Sequence, residues 1–241
     1  MNYLTGFHAI EERIKSGKTC GPLLAAKAGP RARELVSLAV NSKIRVDRVG
    51  SFELDKLAPD NRGVALLVPD ISRDDSRLSL EEFINSLGDR TNALALILDE
   101  ITDPHNYGAI LRSCDQFGVD LVISRDRRNA KNADIISKTS AGTVSWVPQA
   151  ETPNLVRASE QLKNAGFWIY GADIHGDSVN KKDLKGRVAL VLGSEGTGIS
   201  RLLQENCDDM VSIPTKGRID SLNVSVAAGV LLYEIQRQWE M

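Results

Sequence analysis

Histidine and cysteine are scarce in this chain, three of each in 241 residues. Cys20, Cys114 and Cys207 are odd in number, far apart and form no C-x-x-C pair, which excludes a disulfide framework and a structural zinc site. They read as small buried hydrophobes. His8, His105 and His175 fall singly and read as structural or surface residues, so no metal is expected. Long apolar runs are missing as well. None approaches the roughly 18 residues that a membrane helix needs. The opening Met1-Asn-Tyr-Leu-Thr-Gly-Phe-His8 lacks the basic-then-apolar order of an export signal. A cytoplasmic protein with no membrane contact is the expectation.

Nor does charge of one sign dominate. The net charge is -2, and it is unevenly divided: residues 1–72 carry 11 Lys/Arg against 8 Asp/Glu, residues 73–241 carry 19 against 24. A polyanion would therefore have to be met by local patches rather than by a global field. Two patches stand out, Arg125-Asp-Arg-Arg128 with Lys131, and Lys216-Gly-Arg218. The first reads equally as a solvated loop; the second lies inside a motif.

What is present is ordinary globular composition, 42% hydrophobic and 26% charged, enough for one large domain or two small ones. Residues 9–14 and 31–41 carry helical spacing, and 44–49 and 64–68 are short apolar runs, together a small α/β unit. Pro69-Asp-Ile-Ser-Arg-Asp-Asp-Ser-Arg77 is polar and opened by proline, which marks a linker. Domains at 1–72 and 92–241 follow, with 73–91 as linker and leading segment. Beyond it, strand-like runs at 94–98, 119–123, 167–171, 188–192 and 210–213 alternate with helical patterns, implying a parallel sheet covered on both faces. From Asn223 to about Gln238 the apolar stripe is wide enough to predict a helix buried on two sides.

Three stretches put small or polar residues directly after apolar runs, where a buried strand gives way to a loop: Asn106-Tyr-Gly-Ala-Ile-Leu-Arg112, Gly193-Ser-Glu-Gly-Thr-Gly198, and Ile213-Pro214 followed by Ser221-Leu-Asn-Val-Ser225. The glycine loop is not a Walker loop, for no Gly-Lys-Ser/Thr follows, and its G-x-x-G-x-G order is not the dinucleotide fingerprint. A nucleotide-dependent oxidoreductase is thereby disfavoured. Taken alone the loop reads as a plain tight turn, but Glu195 within it can serve a ligand or a helix N-terminus. Asp103-Pro104-His105-Asn106 is a turn and cap signal, with the helix running from Gly108 to Phe117. Asn106 reads as a cap or a functional amide, and Arg112 as a surface cation or a two-pronged phosphate clamp.

N-x-G-x-x-x-R, then G-x-E-G-x-G, then I-P with S-L-N-V-S, in this order and spacing, resembles the three motifs of the SpoU, or TrmH-type, branch of the SPOUT RNA 2'-O-methyltransferases, over roughly residues 92–241. Gly6-Phe-His-Ala-Ile-Glu-Glu12 with Gly63-Val64 resembles the small ribosomal-protein-like RNA-binding domain that precedes it in RlmB-type enzymes. The resemblance implies an α/β fold whose C-terminal chain forms a trefoil knot, S-adenosylmethionine bound in the knotted loops, and a homodimer. By motif, Gly193, Ile213, Leu222 and Gly198 would surround the methyl donor, joined by Thr139, Ser140, Ala141 and Gly142. Asn106, Arg112, Glu195, Ser221 and Asn223 would form the polar catalytic group. A guanidinium stays protonated in proteins, so Arg112 reads as a phosphate or alkoxide stabiliser rather than a base.

Departures from the pattern bear on substrate choice. Thr215 and Lys216 stand where Met and a small residue commonly follow I-P, and Arg218 to Asp220 is more charged than usual; this loop is expected to border RNA. In the front domain, Asn61-Arg62-Gly63 replaces His-Gln-Gly. The implied activity is ribose 2'-O-methylation of RNA, at a guanosine of 23S rRNA. A tRNA methyltransferase is the alternative, disfavoured because no basic terminal extension is present, and a non-catalytic RNA-binding protein with the same fold is the second.

Overall fold

A computed structural model describes residues 2–15, 17, 20–26, 29–58, 61–68, 77–125, 133–218 and 221–240. The basic run beyond Arg125, most of the Pro69–Arg77 linker, Ile219 with Asp220, and the side chain of His8 lie outside the described residues. The chain divides into two compact units, Met1–Asp75 and Ser76–Met241.

The first unit runs β1 (Asn2–Leu4), α1 (Phe7–Lys15), β2 (Leu23–Ala25), α2 (Pro30–Asn41), β3 (Val46–Arg48), α3 (Ser51–Leu57) and β4 (Val64–Val68). Its sheet order is β1-β4-β2-β3, with β4 antiparallel to both neighbours and β2 parallel to β3. Alternation along β4 sends Val64, Leu66 and Val68 into a core with Ile10, Ile14 and Leu35, while Ala65 meets Leu24, Leu54 and Ala58 on the other side. Thus α1 and α2 cover one face and α3 the other. A three-residue strand such as β1 is too short to show a period of its own.

The second unit runs α4 (Leu80–Ser86), β5 (Ala93–Leu98), α5 (Pro104–Gln116), β6 (Leu121–Arg125), α6 (Ala133–Thr139), β7 (Gln149–Thr152), α7 (Leu155–Asn164), β8 (Trp168–Ser178), β9 (Arg187–Leu192), α8 (Arg201–Glu205), β10 (Asp209–Ser212) and α9 (Val224–Trp239). Among the described residues its six strands pair in the order β10-β8-β9-β5-β6-β7, all in parallel. Every residue of β5, Ala-Leu-Ala-Leu-Ile-Leu, is buried, as a central strand covered on both faces requires. Leu94, Leu96 and Leu98 meet α5 and α9; Ala93, Ala95 and Ile97 meet α4, α7 and α8. Residues 80–86 are thus a packed helix, opened by a capping box between Ser79 and Glu82.

The sheet reverses its winding at its centre. From β5 the chain leaves through α5 on one face, and from the adjacent β9 it leaves through α8 on the other. In open α/β sheets the crevice between two such departing chains is where ligands bind. The last helix is buried on one side within the chain. Val224, Ala228, Leu231, Leu232 and Ile235 face the core, while Val226, Val230 and Tyr233 are 51%, 39% and 56% exposed. The second apolar face predicted from the spacing exists but has no cover among the described residues.

Candidate active site

The first motif is placed by a cap. Asp103 accepts from the backbone N–H groups of His105 and Asn106, both at 3.2 Å, and Pro104 takes the first helical position, where its missing donor costs nothing. The helix therefore starts four residues before Gly108, and Asn106 lies in its first turn with its carboxamide free for other work. Gly108 has a packing reason. A Cβ there would stand 2.8 Å from Thr139 Cβ and 3.0 Å from the Ile136 carbonyl oxygen, so its absence lets α6 press against α5.

The turn that ends α6 is thereby set beside the first motif. Ser140 is fully buried, Ala141 and Gly142 both have positive φ, and Thr139 Oγ1 lies 3.4 Å from His105 Nδ1. Cys114 and Tyr107, on the inward side of α5, offer nothing for proton transfer at neutral pH: burial pushes the Tyr107 phenol up to about 12 and raises the Cys114 thiol as well.

The second motif is a turn folded on itself. Ser194 and Gly198 exchange backbone hydrogen bonds of 3.1 and 3.0 Å, and the hydroxyls of Ser194 and Thr197 meet at 2.7 Å. Gly193 permits this. A Cβ on it would stand 2.1 Å from the Gly198 carbonyl carbon, closer than any side chain could tolerate. Glu195 sits at the tip.

The third motif caps the last helix and closes the site. Asn223 Oδ1 accepts from the N–H groups of Ser225 at 3.0 Å and Val226 at 3.4 Å, the N-cap pattern. Its Nδ2 donates to Asn106 Oδ1 at 3.0 Å and to Glu195 Oε1 at 2.6 Å, and Asn106 Nδ2 donates to the same Glu195 oxygen at 3.1 Å. The Val224 N–H donates a third bond to that oxygen, at 3.3 Å. One residue from each motif thus meets in a closed triangle across 89 and 117 positions of sequence. Glu195 Oε2 makes no hydrogen bond with the described residues.

Other expected site residues behave differently. Arg112 is exposed, on α5 about 9 Å along the axis from Asn106 by helical rise, and makes no hydrogen bond or ion pair with any described residue. Ser221 is exposed and likewise unbonded. Ile213 packs on the core edge and Leu222 is 38% exposed, so apolar surface borders the polar triangle. Asp99 and Ser200, which the motif reading passed over, are joined here by a 2.8 Å bond; the signal was a carboxylate directly after the all-buried β5. Among the described residues no group of His, Cys, Asp and Glu could hold a metal ion, and no helix is long and apolar enough to cross a membrane.

The family model described as SpoU rRNA methylase matches residues 93–233, and a second, described as RNA 2'-O ribose methyltransferase substrate binding, matches residues 3–72. The chain belongs to the SpoU rRNA methylase family. It is an RNA 2'-O-methyltransferase of that family. A 23S rRNA (guanosine-2'-O-)-methyltransferase, RlmB, of Neisseria meningitidis is 38% identical over 97% of this chain and 94% of its own length. An uncharacterised tRNA/rRNA methyltransferase of Borreliella burgdorferi is 41% identical over 88% of this chain and 96% of its own. The SpoU methyltransferase AviRb of Streptomyces viridochromogenes, solved in complex with AdoMet, superposes with a TM-score of 0.70 at 26% identity, covering 99% of this chain and 90% of that one.

Proposed function

We propose that this SpoU-family enzyme methylates the ribose 2'-hydroxyl of a guanosine in 23S rRNA, with S-adenosylmethionine as donor. The observation that carries the reading is the Asn106–Glu195–Asn223 triangle, which joins the three motifs at the switch point of the sheet. The rRNA guanosine is the substrate named for the Neisseria relative, which aligns along nearly the whole chain.

The residues present fit the donor. At Gly193 the loop has no room for a side chain and offers backbone, the Thr139–Gly142 turn offers more backbone beside it, and Ile213 and Leu222 supply apolar surface. These groups, with Gly198, Ser140 and Ala141, would hold S-adenosylmethionine, which supplies a methyl group on an electrophilic sulfonium. Methyl transfer then needs an oxygen nucleophile held in line and a site that eases loss of its proton. Arg112, exposed and paired with no described residue, is the group to bind the target's phosphate or to stabilise the developing alkoxide. Glu195, held through one oxygen by two amides, keeps the other for the nucleophile. Asn106 and Asn223 brace it, and Ser221 stands ready for the RNA.

Two further features belong to the same reading. Asn223 bonds Glu195 of the Gly193–Gly198 loop and opens α9, which packs on the α5 face, in support of a threaded, trefoil-knotted C-terminus. The uncovered stripe of Leu222, Val226, Val230 and Tyr233 suits a second copy of the chain, and the homodimer is tested by sedimentation at assay concentration. Residues 1–72 act as the RNA-gripping domain and 92–241 as the methyltransferase domain, joined through 73–91.

Ribose-methylation mapping of total RNA from cells with and without this gene tests the whole. Loss of one 23S rRNA guanosine mark, restored by wild type but not by Glu195→Ala or Arg112→Ala, is expected. Loss of a tRNA mark instead would move the substrate, and no change anywhere would make the chain an RNA-binding protein without catalysis.

A further inference from the structure

Asp99 directly follows β5 at the point where the two central strands part, and its side chain is completely buried. Its backbone N–H donates to the Leu192 carbonyl at 2.9 Å, tying the end of β5 to the end of β9. Its Oδ2 accepts from the Ser200 N–H at 2.8 Å, and so grips the chain just after the Gly193–Gly198 loop. Its Oδ1 is buried with no hydrogen-bond partner among the described residues. The Arg125 guanidinium, at the end of β6, approaches that oxygen at 3.8 Å and Glu100 at 3.6 Å, distances that supply charge without a hydrogen bond. A buried carboxylate with one unbonded oxygen is a costly way to hold a turn, since a neutral amide or hydroxyl could accept the same N–H. The cost calls for a reason beyond packing.

We propose that Asp99 is a positioning residue for Glu195. The loop that carries Glu195 is held at its tip by Asn106, Asn223 and the Val224 N–H, and at its exit by the buried Ile199 side chain and the Asp99–Ser200 bond. With the exit fixed, the six-residue turn has one way to present its carboxylate to both amides. The Arg125 guanidinium, 3.8 Å from Asp99 Oδ1, sets a cation beside the buried carboxyl group, which gives a use to the first residue of the basic run that opens at Arg125. The inference rests on the assignment of Glu195 to the reaction.

The test is a double-mutant cycle on the full-length enzyme with RNA substrate and S-adenosylmethionine. Asp99→Asn keeps the size of the side chain and an acceptor for Ser200 but turns an amide toward Arg125. It should lower kcat about tenfold with little change in the KM for RNA, and add nothing to the loss already caused by Glu195→Gln. Ser200→Pro removes the same bond from the donor side at a φ of -58°, which proline accepts, and should reproduce the effect if the Asp99 variant does not fold. Losses that multiply in the double variant, or folded Asp99→Asn and Ser200→Pro enzymes with full kcat, would overturn the proposal. A Glu195→Gln enzyme with full activity would instead overturn the role of Glu195, on which the proposal stands.

Discussion

Two groups of polar residues in the three motifs are held in opposite ways. Asn106, Glu195 and Asn223 are bonded to one another, and Asn223 also caps α9, so each is fixed before any substrate arrives. Arg112 and Ser221 are exposed and bonded to no described residue. Ordered groups spend no entropy during catalysis but are already satisfied, whereas unpaired ones keep their hydrogen-bonding capacity for a ligand. On the proposed reading the contrast separates residues fixed within the site, Glu195 keeping one oxygen for the substrate, from residues that only a ligand would order, and it predicts different signatures for their loss. Removing a held residue should cost stability and rate together. Removing an unheld one should cost rate alone.

The most damaging change expected on the held side is Gly193→Ala. Its Cβ would fall 2.1 Å from the Gly198 carbonyl carbon, and backbone, unlike a flexible side chain, cannot step aside locally. The loop must open, displacing Glu195 from both amides. Activity should fall at least about a thousandfold, and overpacking of about 1–3 kcal/mol should lower Tm by several degrees. A thermal melt and a single-turnover assay check both; an unchanged Tm would show that the loop is not held as described. On the unheld side, Arg112→Ala should lower kcat by about a hundredfold or more, the scale of one lost transition-state hydrogen-bond donor, while Tm and S-adenosylmethionine affinity stay within error. Calorimetric titration of the donor against the variant decides it: an equal loss of donor affinity would place Arg112 among the shaping residues instead.

The sequence showed these groups unevenly, for physical reasons. Strands β5 and β9 were legible because burial on both faces leaves continuous apolar runs, Ala-Leu-Ala-Leu-Ile-Leu and Val-Ala-Leu-Val-Leu. Strand β7, Gln149–Thr152, was not, since an edge strand with mixed burial carries no such run. Strand β8 continues to Ser178, past the apolar segment that announced it, because its later residues pair with β10 across an irregular register. The three motifs marked the site by composition, and the turn after α6 was placed beside them only by family resemblance. What brings that turn to α5 is Gly108, whose packing role no local pattern can show. The bonds among Asn106, Glu195 and Asn223 span the whole unit and belong to tertiary structure alone.

Smaller effects sharpen the contrast further. Asn106→Ala removes one of the two side-chain amides on Glu195 Oε1 and leaves Asn223 and the Val224 N–H to hold it. A net loss of about 1 kcal/mol for one hydrogen bond corresponds to a Tm lower by about 2–4 °C, and the rate should fall about tenfold as Glu195 loosens. The two losses should appear together, and a variant with full Tm but reduced rate would transfer Asn106 to the substrate-binding group.

Ser221→Ala is the mildest of the set and the most discriminating. The hydroxyl has no partner to lose among the described residues, so the folded state should be as stable as wild type, within about 0.5 kcal/mol, the usual range for a surface substitution. If Ser221 bonds the RNA, kcat/KM should fall about three- to tenfold, one neutral hydrogen bond's worth, with no change in donor binding. A steady-state series at varied RNA concentration separates the cases. Loss confined to KM places the hydroxyl in ground-state RNA binding. Loss confined to kcat places it at the reacting centre, and no loss in either shows that being exposed and unbonded is not enough to mark a residue of this crevice as one that meets the substrate.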